Sequence, residues 1–206
     1  MPIPPNCAPR WPRGVRQLGL DCLPWSDAAT ALRHRVALLA GFEPRWPDLW
    51  DASLLDTLDD WLAPYLGGRT RRPHLDRLDM AEILSARLDY AMRKRLDTLA
   101  PTHLPVPSGR TALVDYSGDE PVLAVKLQEM FGCADTPRIA NGRVPVLLHL
   151  LSPAGRPLQV TRDLAGFWAG SYKAVKAEMK GRYPKHPWPD DPLAAQATAR
   201  AKPRGT

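Results

Sequence analysis

Cysteine is scarce in this 206-residue chain, and no recognisable site is built from it. Cys7, Cys22 and Cys133 form an odd and widely spaced set, which argues against a disulfide framework and fits a reducing cytoplasm. Neither they nor the five histidines show CxxC, HxxxH or HExxH spacing, so no zinc site is indicated. We therefore expect no bound metal and no cofactor.

Long apolar runs and nucleotide-binding loops are also missing. No apolar stretch approaches the length of a membrane span, and the first residues, MPIPPNCAPRWPRG, lack the apolar segment of a secretory signal. The Gly-Lys dipeptide does not occur, so the phosphate-binding pattern GxxxxGK[ST] is absent, and GxSxG is absent too. These absences predict a cytoplasmic protein, with no catalytic residue indicated and no membrane partner.

Charge is distributed unevenly along the chain. There are 28 basic and 22 acidic residues in total, and ten basic but only four acidic residues lie from Arg156 to the end. The first 155 residues therefore hold 18 of each and are neutral. A cationic end on an otherwise balanced protein indicates an anionic partner, and nucleic acid is the first candidate.

Helical signals dominate residues 14–101, which we expect to form a small helical bundle. Ser26 is placed to cap the first helix, and a second is predicted from about residue 51 to 63. Asp79 is placed to cap a third helix that continues until a proline stops it. Residues 1–13 hold five prolines and are expected to be a disordered arm.

The pattern changes after Pro101 to short β-rich runs separated by tight turns. The predicted strands are residues 103–106, 110–116, 122–127, 144–151 and 158–161. Their number and spacing suggest an OB-like small β-barrel, in a domain spanning 102–192. The predicted fold class is α+β, an N-terminal small helical bundle followed by this barrel. A C-terminal amphipathic helix over 164–181 and an extended segment complete the domain, before a disordered tail at 193–206.

The predicted C-terminal helix carries a lysine stripe. Lys173, Lys176 and Lys180 are spaced by three and four residues, while apolar positions follow another face. Lysines on one stripe can neutralise successive phosphates without reading bases. The alternative is an ordinary solvated face on a helix that packs by its aromatic side.

Two aromatic residues follow the helix in the run GRYPKHPWP. Prolines fix an extended path there, and Tyr183 or Trp188 beside a cation could stack on a base. The alternative is that both rings anchor the segment to the β domain, with Trp188 between two prolines as a packing clamp.

The run RPLQVTRDLAGFWAGSYKAVKAEMKGRYPKHPWPDDP, residues 156–192, resembles the C-terminal signature of HrpB-type bacterial ATP-dependent helicases, a branch of the DExH-box enzymes. The segments LAVKLQEMFG (123–132) and GRVP (142–145) are similar to that family, as are DWLAPYL (60–66) and LPWS (23–26) further back. The resemblance covers about residues 14–192.

The resemblance implies an accessory region without a motor. In that family two RecA-like motor domains precede winged-helix, bundle and OB-like modules, and this chain is similar to the later modules alone. The family's ATP and Mg²⁺ residues therefore cannot be carried onto any position here. What carries over is help in forming a channel for single-stranded RNA. The implied candidate phosphate contacts are Arg156, Arg162, Lys173, Lys176, Lys180, Arg182 and Lys185.

Two hypotheses follow for the function. The first is a motorless C-terminal part of a helicase that binds single-stranded RNA or DNA, with motor domains supplied in trans. The second is a docking module that packs on a motor or another protein, its lysines serving only solubility. Phosphate contacts would make affinity fall steeply with salt, whereas an aromatic docking surface would give a shallow dependence. An independent enzyme is the least favoured class.

Overall fold

The first half of the chain is helical, and the second half contains strands followed by two helices. The computed structural model describes residues 10–66 and 75–199, with side chains from residue 14 onward. The chain divides into two compact units, Met1–Ala100 and Pro101–Thr206, which we describe separately. Residues 1–9 of the predicted arm and 200–206 of the predicted tail lie outside the described residues.

The first unit contains six described α-helices. They are α1 (Arg10–Leu18), α2 (Asp27–Ala40), α3 (Asp51–Asp56), α4 (Leu58–Trp61), α5 (Met80–Ser85) and α6 (Tyr90–Leu99), with 3-10 turns at Leu20–Cys22 and Ala63–Leu66. The helix α1 begins inside the stretch predicted to be a disordered arm, so residues 10–13 are helical instead.

The predicted caps are present, but two predicted helices are broken. Ser26 accepts a hydrogen bond from the Ala29 amide at 3.2 Å, and Asp79 accepts one from Glu82 at 3.0 Å. The helix predicted from Asp79 ends early, because Asp89 caps a new helix by accepting from the Met92 amide at 2.7 Å. The predicted 51–63 helix is interrupted at Thr57, whose ψ of 19° is not helical.

Leucines form the centre of the helical unit. Leu54, Leu58 and Leu62 are fully buried, and the Trp61 indole N–H donates to the Leu54 carbonyl at 2.8 Å. Arg35 is also buried, and its guanidinium donates to Asp97 at 2.7 Å. The ion pair and the indole bond supply the polar partners that buried donors require.

The second unit is built on an open five-stranded sheet in the order β1-β2-β3-β6-β7, beside a two-stranded β4-β5 ladder. The strands are β1 (His103–Pro105), β2 (Thr111–Asp115), β3 (Val122–Lys126), β4 (Arg138–Ile139), β5 (Val144–Pro145), β6 (Leu147–Leu151) and β7 (Pro157–Thr161). Within the described part of the chain the sheet does not close on itself. The predicted OB-like barrel is therefore not confirmed, while the α+β class is.

Strands β3 and β6 form the middle of this sheet and run parallel to each other. Leu123 lies opposite Leu148, and Val125 lies opposite Leu150. All four side chains are buried, and they alternate with more exposed residues, as expected for a sheet with one covered face. The other pairings within this sheet are antiparallel.

Two helices follow the sheet, where the sequence predicted one. They are α7 (Leu164–Ala169) and α8 (Tyr172–Arg182), separated at Gly170, whose φ of −114° and ψ of −85° leave the helical region. Glycine favours such a break because it has no side chain to restrict the backbone. No helix in the described ranges is long and apolar enough to cross a membrane.

The chain beyond residue 192 also differs from the sequence-based prediction. Residues 193–199 were expected to begin a disordered tail, but the structure gives them a defined path. The Thr198 amide donates to the Gln128 carbonyl at 3.0 Å, and the Gly132 amide donates to the Pro192 carbonyl at 2.9 Å. Backbone hydrogen bonds, which composition does not reveal, fix this stretch.

Candidate nucleic-acid interface

The helix α8 packs against the β unit by a narrow buried line. Tyr172 is 1% exposed and Met179 is 3% exposed, and Val175 is half-buried. Tyr172 belongs to an aromatic cluster with Phe131, Phe167 and Trp168, whose ring centroids lie 5.0 to 6.4 Å apart. Aromatic edge-to-face contacts at these distances stabilise the packing beyond the buried area alone. The buried line thus leaves two flanks of α8 open.

One flank holds the predicted lysine stripe. A cavity of about 370 Å³, here called the lysine groove, is lined by Tyr172, Lys173, Lys176, Ala177, Lys180 and Asp190. The structure therefore brings all three predicted lysines to one depression. Lys173 and Lys180 are exposed, and neither forms an ion pair with any residue that the structure describes.

Asp190 forms the only described acidic contact in the lysine groove. Its carboxylate accepts a short hydrogen bond from the Lys176 ammonium, whose side chain is 18% exposed. That hydrogen bond and the charge of Lys176, with a further contribution from Lys180, hold the pKa of Asp190 below its ordinary value. Asp190 is therefore ionised at neutral pH and neutralises one of the three lysines.

The segment from Tyr183 to Pro192 follows α8, and its Asp190 lines the lysine groove. The Trp188 indole N–H donates to the Tyr183 carbonyl at 3.0 Å, and the Tyr172 hydroxyl donates to the Pro189 carbonyl at 2.9 Å. Burial, followed by the charge of Asp190, raises the pKa of Tyr172 to about 12, so this hydroxyl remains a donor. Trp188 is 8% exposed and is a packing residue, so its ring is not available for base stacking.

The opposite flank of α8 carries two of the predicted arginines. A cavity of about 200 Å³, here called the arginine cleft, is lined by residues that include Ser152, Arg156, Val175, Glu178, Arg182 and Tyr183. Arg156 comes from the β6–β7 turn, and Arg182 ends α8. The buried line of Tyr172 and Met179 separates this cleft from the lysine groove.

The two remaining predicted contacts lie apart from both cavities. Arg162 donates to both carboxylate oxygens of Glu120, with its Nε at 2.7 Å, so its guanidinium is engaged within the protein. Lys185 is exposed on the segment after α8 and has no ion pair among the described residues. The seven predicted cations therefore fall into separate groups.

A third cavity was not predicted from the sequence. It has a volume of about 320 Å³ and is here called the acidic cavity, with a lining that includes Asp135, Trp168, Asp190, Asp191, Pro192 and Leu193. Its lining is largely apolar, and Leu193 is 45% exposed. Asp190 lines this cavity as well as the lysine groove. The one available signal was the Asp190-Asp191 pair held between two prolines.

Metal ligands and the Cys133 thiol would be other possible sources of chemistry. Within residues 10–66 and 75–199, no three His, Cys, Asp or Glu side chains are grouped to hold a metal ion. The Cys133 thiol lies 3.2 Å from the Asp135 carbonyl, and burial raises its pKa above the ordinary value. Such a thiol is a weak nucleophile at neutral pH.

Apart from Leu193, the residues that line these cavities lie within a match to a known family. Residues 61–192 match the HrpB_C family model, described as the C-terminal region of ATP-dependent helicases. The chain belongs to the HrpB C-terminal family. This confirms the resemblance drawn from the signature at residues 156–192, and the seven predicted cations and Asp190 all lie inside the matched range.

The family assignment is supported by similarity over nearly the whole chain. The chain is 48% identical to the ATP-dependent RNA helicase HrpB of Escherichia coli K12, across 92% of this chain and 24% of that protein. A crystal structure of the E. coli DExH-box NTPase HrpB matches with a TM-score of 0.87 and 47% identity, covering 92% of this chain and 24% of that one.

A second solved structure gives the same correspondence. A crystal structure of the E. coli DEAH/RHA helicase HrpB matches with a TM-score of 0.74 and 42% identity, over 91% of this chain and 25% of that one. The chain thus spans about a quarter of the length of the HrpB proteins that it matches.

Proposed function

We propose that this chain is a C-terminal accessory region of an ATP-dependent RNA helicase that binds single-stranded nucleic acid through the lysine groove. The observation that carries the proposal is the convergence of Lys173, Lys176 and Lys180 on one open cavity. The chain itself supplies no ATP-binding motif, so the proposal assigns hydrolysis to motor domains acting in cis or in trans. A cytoplasmic location belongs to the same proposal.

The geometry of α8 suits a repeating polyanion. With a rise of 1.5 Å per residue, Lys173 and Lys180 are separated by about 10 Å along the helix axis, with Lys176 between them. A cationic row of this kind contacts successive phosphates and releases their counterions, which gives affinity without sequence readout. The relative's name as an RNA helicase favours RNA over DNA as the strand.

The test is binding of the purified chain to a short labelled oligouridylate between about 50 and 200 mM salt. Each phosphate contact on a single strand contributes about 0.7 to the slope of log affinity against log salt. We expect a Lys173→Ala/Lys176→Ala/Lys180→Ala variant to lower the slope by up to about 2 and to weaken binding about tenfold at the higher salt.

A matched control separates the lysine groove from net charge. Arg77, Arg93 and Lys94 are exposed on the helical unit, and their replacement by alanine removes the same three charges. This control is expected to leave the slope nearly unchanged. Equal losses in both variants, or no binding of the parent chain at low salt, would refute the groove as the binding site.

A second candidate function is docking, and the acidic cavity favours it. Trp168 and Leu193 line this cavity together with Asp135 and Asp191, so it is complementary to a segment that carries a basic side chain beside an apolar one. The occupant that we propose is such a segment of the helicase motor domains. This function does not require the lysine groove, and the two functions are compatible.

The docking function can be tested separately from nucleic-acid binding. Ala165 lines the acidic cavity on α7, and Ala165→Arg fills it and places a cation against the carboxylates. We expect this variant to lose calorimetric binding to the isolated motor domains of the E. coli relative while keeping oligouridylate binding. Ala174→Arg, exposed on α8, is the charge-matched control. Unchanged motor binding by Ala165→Arg would contradict the docking function.

A further inference from the structure

Asp190 occupies an unusual place for a carboxylate, since it faces a row of cations. The lysine groove contains three ammonium groups, and Asp190 binds the central one, that of Lys176. Lys173 and Lys180 on either side have no ion-pair partner among the described residues. The central position of the row is therefore filled by an anion that the protein itself provides.

The backbone on both sides of Asp190 is fixed, so this contact is built into the fold. The Pro189 carbonyl accepts the hydroxyl of buried Tyr172 at 2.9 Å, and the Pro192 carbonyl accepts the Gly132 amide at 2.9 Å. Trp188, one residue before Pro189, is buried and hydrogen-bonded as well. These anchors hold the Asp190 main chain beside α8, while its side chain is fully exposed.

A fixed backbone with an exposed carboxylate can release Lys176 without unfolding. The carboxylate needs only to rotate into solvent, since no other described hydrogen bond holds it. An exposed ion pair of this type is weak enough for a phosphate to displace. Lys176 itself is held in place by its partly covered stem and so stays directed at the groove.

We propose that Asp190 is a built-in competitor for phosphate, occupying the Lys176 ammonium until a nucleic-acid phosphate displaces it. This inference rests on the proposed binding of single strands in the lysine groove. It assigns Asp190 the role of limiting affinity, so that a strand bound across all three lysines is released more readily. A helicase accessory surface gains from this, because the strand must pass along it and cannot be held tightly at one position.

The adjacent acid provides a matched control for the test. Asp191 has the same charge and faces the acidic cavity, and its carboxylate accepts the Leu193 amide at 2.9 Å, a bond that asparagine can keep. Asp190→Asn and Asp191→Asn therefore make equal changes in net charge, but only the first removes the carboxylate charge that pairs with Lys176.

The experiment measures oligouridylate affinity at several salt concentrations for the full chain and these two variants. We expect Asp190→Asn to bind about two- to fivefold more tightly, since the competing exposed ion pair is lost. Its salt slope should change little, because the strand contacts all three lysines in both forms once Asp190 has been displaced. Asp191→Asn should show at most a small gain and an unchanged slope. When Lys176 is replaced by glutamine, Asp190→Asn should raise the oligouridylate affinity no more than Asp191→Asn does.

A second readout does not depend on nucleic acid. Acetylation of Lys176 by an amine-reactive ester, followed by peptide mass spectrometry, should be faster in Asp190→Asn than in the parent, while Lys173 changes less. If the parent binds RNA and the two asparagine variants behave alike, the competitor role is refuted and the proposed function stands. If Lys176 is acetylated equally fast in the parent and in Asp190→Asn, the ion pair itself is refuted. If no form binds RNA at low salt, the proposed function fails and this inference fails with it.

Discussion

The lysine groove and the arginine cleft lie on opposite flanks of the same helix, yet they differ as potential anion sites. The groove presents a row of three lysines, and its one acid, Asp190, reaches in from a separate segment. The cleft has a volume of about 200 Å³, whereas the groove has about 370 Å³. The acid that lines the cleft, Glu178, belongs to α8 itself. A single helix thus contributes cations to two separate surfaces.

The largest effect is expected from removing the buried ring of Trp188. Its indole N–H donates to the carbonyl of Tyr183, which lines the arginine cleft, and it lies two residues before Asp190, which lines the lysine groove. Trp188→Ala should destabilise the β unit by about 3–5 kcal/mol, as for other buried tryptophans. Urea unfolding followed by circular dichroism measures this, and oligouridylate binding should fall at the same time. Tyr90→Ala, at an exposed ring, should cost less than about 1 kcal/mol.

The next largest effect is expected from removing lysines of the groove, compared with removing arginines of the cleft. A Lys173→Ala/Lys180→Ala variant should reduce the salt slope of oligouridylate binding by about 1.4, from two lost phosphate contacts. An Arg156→Ala/Arg182→Ala variant removes the same charge from the arginine cleft and should leave the slope almost unchanged. If the arginine variant loses more, the strand follows the cleft, and the roles of the two flanks are reversed.

A smaller effect is expected from the hydrogen bond that joins α8 to the segment after it. Tyr172→Phe removes the hydroxyl that donates to Pro189 and should cost about 1 kcal/mol, measured by urea unfolding. The raised pKa of about 12 means that the neutral phenol is favoured in the folded state. Its stabilisation is complete below the unfolded-state pKa near 10 and is lost as pH rises from about 10 to 12. Tyr172→Phe should abolish that alkaline loss, and an unchanged pH dependence would contradict the assignment.

The smallest effect should come from the acid of the arginine cleft. Glu178→Gln changes net charge as Asp190→Asn does, but no described lysine or arginine is paired with Glu178. We expect less than a twofold change in oligouridylate affinity, because no cation is released onto the path of the strand. A gain in affinity as large as that of Asp190→Asn would indicate that the arginine cleft is part of the binding surface.

Local signals in the sequence predicted much of the fold. The Ser26 and Asp79 caps and the hairpin turn between β6 and β7 depend on neighbouring residues, and the structure contains all three. The helix breaks at Asp89 and Gly170 were missed because the apolar periodicity continues through both. The parallel pairing of β3 with β6 was not accessible either, since it joins segments that are far apart in the sequence.

The candidate site was predictable as a set of cations but not as a surface. Spacing along one helix placed Lys173, Lys176 and Lys180 together, and they line one groove. The resemblance to the helicase family also implied Arg162, which the structure engages with Glu120. Asp190 lies fourteen residues after Lys176, beyond a turn, and helical spacing carries no information on such a contact. The net charge of a segment likewise does not reveal that an acidic cavity lies beside a basic groove.

The central position of β6 has a consequence for synthesis of the chain on the ribosome. Until residues 147–151 emerge, β3 has no parallel neighbour, and its segment VLAVK presents an unpaired, largely apolar edge. Such edges are templates for intermolecular pairing. A translation product that ends before residue 147 is therefore expected to aggregate, and one that reaches residue 161 completes the sheet with β7.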